Sequence, residues 1–463
     1  MFEKELYISR RNELRKKVRH GLVLLLGNED SPANYPSNTY HFRQDSNFLY
    51  FFGINRPGFA AVMDVESGTD CLYANDISLR DIVWTGPQPS VQDLSESCGV
   101  KKSFKKDELN NVINIALKNG RKIHFLPPYR DTNVLRLKTL LGIKTDCISN
   151  YVSADLIKAV VSLREIKGPE EITQIENACK TAYEMHTAAM KLCRPGITEK
   201  EIGGYIEGIS LSKGHGVSFL PIVTQNGETL HDHSYKNKLH SGKLLLIDAG
   251  AETDMNYCSD FTRTFPVNGK FTDIQKSIYN IVLAANNKTF EIISSGITFR
   301  SVHLECAKVL CKGLKDIGIL HGDTEEMVEN GVYALFMPHG LGHQMGLDVH
   351  DMEDLGEEYV GYNDQTERSR LFGLGSLRMA KKLKQGHVLT VEPGIYFIPA
   401  LIDSWKSEKI NSNFIDYGKL EKFKNFGGIR IEDNALVTDK GCRILGKKRV
   451  PVTVEEIENF MAI

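Results

Sequence analysis

The spacing of apolar residues changes character near residue 162, and the chain reads as two stretches joined there. Before that point short β-type runs, GLVLLLG (21–27), FLYFFGI (48–54) and AAVMDV (60–65), alternate with amphipathic segments such as LNNVINIALKNG (109–120). That alternation predicts a small α/β domain over residues 1–161. The next segment, REIKGPEEITQIENACKTAYEMHTAAMKLCRPG (164–196), has acidic residues early, apolar residues at helical spacing and a Pro-Gly stop. It predicts one long helix opening a second domain over 162–463. Segments 274–297 and 302–319 predict two further amphipathic helices. Between these helices, LLLIDAG (244–250) is a continuous apolar run expected of a strand buried on both faces. NYCSDFTRTF (256–265) predicts its hairpin partner after a turn containing Glu252, Thr253 and Asp254.

Composition agrees with two domains, since 463 residues exceed what one hydrophobic core usually serves. A net charge of −2 with both signs interspersed leaves no electrostatic footprint for nucleic acid or an anionic membrane, and neither is expected as a partner. The first apolar run, GLVLLLG, is far too short to span a bilayer and lacks a signal-peptide layout, so a cytoplasmic location is expected. Nine cysteines, an odd number without a CxxC pair, suit reduced packing thiols better than a disulfide framework. Cys258 lies two residues before Asp260 and in a strand would share its face; inert packing is the expected role.

Candidate chemistry gathers in the second stretch. Asp248, Asp260, His343, Glu392 and Glu432 each end an apolar or Gly-rich segment: LLLIDAGAE, YCSDFTRTFP, FMPHGLGHQMGLDVHD, VLTVEPGIYF and GGIRIEDNALVT. A buried unpaired carboxylate costs several kcal/mol or shifts its pKa, so a cluster of them needs cations. Either aspartate alone could cap a helix or close a turn. A hairpin that sets Asp248 beside Asp260 makes a shared hard divalent ion the economical explanation. Glu392 and Glu432 form a second pair, with Arg430 on the same face as Glu432. His343 adds an imidazole from a stretch whose glycines let backbone approach closely; carboxylate oxygens with one imidazole suit manganese, cobalt or zinc. His339 and His350 lie in the same stretch and are free to handle substrate if His343 alone binds metal.

These five segments, in this order, resemble those of the pita-bread metallopeptidases, specifically the aminopeptidase P and prolidase branch. FRQDSNFLYFFG (42–53) and WTG (84–86) resemble that branch's amino-terminal domain, so the likeness covers nearly the whole chain. The resemblance implies an α+β architecture, with an aminopeptidase P-type amino-terminal domain before a pita-bread catalytic domain. It also implies an Xaa-Pro exopeptidase with two divalent ions, manganese first among them. By the same likeness Asp248 chelates one ion, Asp260 and Glu432 bridge both, and His343 and Glu392 complete the other. In that family a hydroxide between the ions attacks the carbonyl before proline. Glu392 would handle the proton, His350, His339 and His231 would meet substrate or intermediate, and Arg430 would hold a bridging or neighbouring carboxylate. His233 is a rival to His231. A homodimer is implied too, with Trp84 directed to a neighbouring site.

Two departures stand out. The turn between Asp248 and Asp260 is one residue longer than the family usually has, to be absorbed by a bulge or wider turn, and TQNGETLH before His231 is shorter than the usual stretch. SLRMAKKL (376–383), the insertion at 398–428 and the ending VPVTVEEIENFMA resemble prolidase, where an arginine clamps the free carboxylate of a dipeptide; here that residue is Arg378. An aminopeptidase acting on proline-second peptides is the leading reading, a dipeptidase of the prolidase type the close alternative. A non-catalytic peptide-binding module predicts lost ligand residues, and all five are present.

Overall fold

The computed structural model describes residues 1–462. It divides into two compact units: Met1–Arg164 with Met352–Tyr359, and Glu165–Asp351 with the chain from Val360 onward. In the first unit, strand Leu22–Leu26 pairs antiparallel with Ala60–Asp64, which pairs antiparallel with Asp70–Tyr73. Lys102–Phe104 and Ile123–His124 add parallel edges, giving five strands. Leu22, Leu24, Val62 and Tyr73 from the sheet pack with Leu109, Ile113 and Leu137 from helices Glu108–Lys118 and Asp131–Leu141. One predicted strand is a helix instead: FLYFFGI falls in Ser46–Phe52. Asp45 caps it by accepting from the Phe48 amide, and Gly53 ends it at φ +66. All seven of its residues are buried, so no polar position marks a period.

In the second unit the expected helices form as Pro169–Leu192, Asp273–Ile292 and Phe299–Asp316. Pro169–Leu192 packs on strands Leu244–Ala249 and Phe261–Pro266, and Asp273–Ile292 on Val388–Val391, Gly394–Tyr396 and Gly428–Arg430. The expected hairpin also forms. Leu244–Ala249 runs antiparallel to Phe261–Pro266 with Asp248 opposite Thr262, while Ile222–Thr224 takes its other edge. Its connection is wider than a simple turn: Thr253–Tyr257 closes a loop in which Asn256 has φ +64 and its amide group donates to Glu252. The run GIRIEDNALV is broken into two strands, Gly428–Arg430 and Asp433–Val437, and Glu432 sits at the break. Among the described residues no helix is long and apolar enough to cross a membrane.

Candidate metal centre

Strand ends deliver the carboxylates. Asp248 is on Leu244–Ala249, Asp260 immediately precedes Phe261–Pro266, Glu392 immediately follows Val388–Val391, and Glu432 immediately precedes Asp433–Val437. Pairing of Val391 with Asp433 sets the last two side by side. His343 is held against the same sheet: its amide donates to the Thr390 hydroxyl at 3.0 Å, and its carbonyl accepts from the Thr390 amide. Gly342 permits this approach, since a Cβ there would lie 2.1 Å from the Thr390 carbonyl oxygen.

The five side chains line one cavity of about 460 Å³. His343 Nε2 is 3.5 Å from Asp260 and 3.6 Å from Glu392, and Asp260, His343 and Glu432 offer donor atoms all within 4.8 Å of one another. The Nδ1–H of His343 donates to the Gln344 carbonyl at 3.0 Å, which leaves the Nε2 lone pair facing the carboxylates. One oxygen of Asp248 and one of Glu432 are already used: Asp248 accepts from Arg430 at 2.6 Å, and Glu432 accepts from the Thr262 hydroxyl at 2.7 Å. Asp248 Oδ1, Asp260 Oδ1 and Glu432 Oε1 are buried without a hydrogen-bond donor. Burial, then the charges of neighbouring carboxylates, pushes Asp260 and Glu432 well above the ordinary carboxylate range. Glu392 is raised chiefly by burial, with His343 and Arg430 pulling it back. Orphaned oxygens in such a field fit divalent cations, because a cation supplies both the missing partner and the missing charge.

The same cavity is also lined by imidazole and guanidinium groups: His231, His233, His339, His350, Arg378 and the buried strand residue Arg430. The His350 ring lies edge-on to His343 with centroids 4.2 Å apart. His233 Nδ1–H donates to the Pro221 carbonyl, and no such tether is seen on His231. Partial burial and then the Arg430 cation pull His231 below its ordinary value. His339 is committed on both nitrogens. Nδ1–H donates to the Gly340 carbonyl and Nε2 accepts from the Tyr396 hydroxyl at 2.9 Å, while burial and Arg430 hold the ring neutral, down to about 3. Any substrate bond from His339 must therefore displace one of these partners.

All predicted site residues thus meet at one cavity, Arg378 among them. Sequence reasoning missed Tyr396, whose hydroxyl accepts from Arg430 at 2.8 Å and donates to His339, and Thr262, which joins Arg430 to Glu432. Strand alternation was their only signal: Thr262 faces Asp248 across the hairpin. Arg430 pairs directly with Asp248 at 2.6 Å. Cys258 is buried with its thiol toward the Leu347 carbonyl, outside any strand.

A metallopeptidase family M24 model matches residues 173–439, and an aminopeptidase P N-terminal domain model matches residues 7–124. The Xaa-Pro dipeptidase of Homo sapiens is 33% identical over 95% of this chain and 88% of its own length. A probable Xaa-Pro aminopeptidase of Aspergillus niger is 31% identical over 95% and 92% respectively. Among solved structures, proline aminopeptidase P II from Yersinia pestis superposes with a TM-score of 0.80 at 28% identity, covering 100% of both chains. Zn-substituted Escherichia coli aminopeptidase P in complex with product gives 0.81 at 28%, covering 100% of this chain and 98% of that one. With the pita-bread catalytic fold, the amino-terminal domain and matches across both, the chain belongs to metallopeptidase family M24, in the branch of the Xaa-Pro aminopeptidases and dipeptidases.

Proposed function

We propose that the protein is an Xaa-Pro aminopeptidase that releases the residue preceding proline and works with two divalent ions. Manganese is the expected metal; cobalt or zinc can substitute. The observation that carries this reading is the set of donor-less buried oxygens on Asp248, Asp260 and Glu432 beside His343 and Glu392. Asp248, Asp260, His343, Glu392 and Glu432 would hold the ions, with Asp260 and Glu432 serving both by the family likeness. When bound, such ions acidify water and offset charge developing on the scissile carbonyl oxygen. Glu392, whose carboxylate lies 3.6 Å from His343 Nε2 in the same cavity, would take the proton of the attacking water. His350 and His231 hydrogen-bond the peptide, and His231 is favoured over His233 because the latter is tethered to Pro221. His339 holds Tyr396, which orients Arg430 against Asp248, and reaches substrate only by releasing a partner.

A cavity of about 460 Å³ with Leu220 and Ser376 exposed at its rim exceeds what a dipeptide fills, which favours peptides continuing beyond proline. The dipeptidase reading keeps one specific support, Arg378 lining the cavity where a planar fork meets a carboxylate bidentately. Hydrolysis of Gly-Pro and of an Xaa-Pro-Pro tripeptide by the manganese-loaded protein separates them. Tripeptide cleavage is the expected result, turnover of the dipeptide alone transfers the assignment to a dipeptidase, and turnover of neither overturns both. A homodimer is part of the same proposal: helix Leu79–Thr85 has no buried residue and exposes Leu79, Val83 and Trp84. So is residence in the reducing cytoplasm, which suits nine cysteines with no disulfide among the described residues.

A further inference from the structure

His231 rides on an irregular segment between strand Ile222–Thr224 and Leu239, and its neighbours Thr229, His233, Ser234 and Lys236 are exposed. That stretch forms no strand or helix; Asp232 accepts from the Thr224 hydroxyl, His233 and Tyr235 donate to the Pro221 carbonyl, Leu230 packs against Ile222 and Tyr396, and a further anchor holds both of its ends. Both ends converge on one carboxylate that is not in the cavity. Glu199, fully buried at the start of helix Glu199–Lys213, accepts from the Gln225 amide at 2.9 Å and from the Asn237 amide at 3.0 Å. The Asn237 side-chain amide donates to both of its oxygens, at 2.9 and 3.0 Å. Gln225 repeats the arrangement one layer out, donating to the Lys238 carbonyl and accepting from the His240 amide. Glu199 thus ties together both ends of the loop that carries His231 to the cavity.

A helix cap does not explain this carboxylate. Thr198 already caps the helix, accepting from the Glu201 amide while Glu201 answers the Thr198 amide. All the hydrogen bonds Glu199 accepts come instead from the loop's two ends. Fixing both ends removes most of the conformations open to a tethered loop, and a charged acceptor makes each bond stronger than a neutral one.

We infer that Glu199 is a positioning residue for Xaa-Pro hydrolysis, acting through His231 by clamping both ends of the 225–237 loop. The inference rests on the reading of His231 as a substrate-side group. The test is a double-mutant cycle on kcat/KM for an Xaa-Pro-Pro tripeptide with the manganese-loaded protein, using Glu199→Gln, His231→Ala and the pair. Expected are losses of roughly tenfold for Glu199→Gln and about a hundredfold for His231→Ala, with the pair no worse than His231→Ala alone. Losses that multiply in the pair overturn the inference, because Glu199 then acts independently of His231. An unchanged Glu199→Gln overturns it as well. An unchanged His231→Ala removes the underlying reading of His231, and the inference with it. Asn237→Ala withdraws the loop's donors rather than the acceptor and carries the same expectation should Glu199→Gln fail to fold.

Discussion

The floor and the rim of the cavity are built differently. Every carboxylate of the floor is on or next to a paired strand: Asp248 opposite Thr262, Glu392 after Val391 and Glu432 before Asp433. The rim groups His231, His339, His350 and Arg378 lie on irregular backbone; His339 is placed by its own hydrogen bonds, and the loop of His231 by those of Gln225 and Asn237 to Glu199. Paired strands fix a donor to within the tolerance a metal ion demands, whereas loops let a substrate group adjust as peptides enter and leave. The floor should therefore respond to substitution as a unit, and the rim group by group.

Asp260→Ala should cost most, at least about a thousandfold in turnover, because a residue proposed to serve both ions is lost; steady-state hydrolysis of an Xaa-Pro peptide checks this. If the variant retains substantial manganese-dependent activity, the floor does not act as a unit. Arg430→Met comes next, with a loss of roughly 10–100-fold in metal affinity or activity, because Asp248, Tyr396 and the Thr262 hydroxyl all lose their common partner. Manganese titration should register that loss, although Arg430 touches no ion. Arg378→Gln belongs to the rim: KM for peptides should rise about tenfold with metal affinity unchanged. A fall in metal affinity instead would blur the division between floor and rim.

The smallest effect concerns pH. His186 is fully buried behind the floor, donating to the Ala249 carbonyl, and burial pulls it down to about 4. A depressed histidine stays neutral when folded but takes a proton when unfolded, so its contribution is intact above the unfolded value of about 6.5 and is lost as pH falls toward 4. The loss amounts to about 2 kcal/mol by pH 5. Melting temperatures measured from pH 7 to 4.5 should fall less steeply in His186→Gln than in the parent protein.

The contrast between floor and rim also governs what could be read from the chain. Asp248 and Glu392 were legible because each ends a run of buried strand residues, where a carboxylate is conspicuous. The hairpin was legible for the same reason, but not its connection, which depends on the left-handed backbone of Asn256. The helix Ser46–Phe52 was hidden because burial on every side erases periodicity. Tyr396 looked like one more apolar strand residue, and its hydroxyl matters only through Arg430, which is 34 positions away. Glu199 was least legible. Next to the cap residue Thr198 it reads as an ordinary first-turn acid favoured by the helix dipole, and only the returning loop shows what its carboxylate holds.

The most direct measurement is the number of manganese ions bound per chain, by calorimetric titration of the metal-free protein and of Asp260→Ala. Two ions on the parent protein, with both sites weakened by the single substitution, is the predicted result. One ion on the parent protein, or two that Asp260→Ala leaves undisturbed, would contradict a shared centre built from these five side chains.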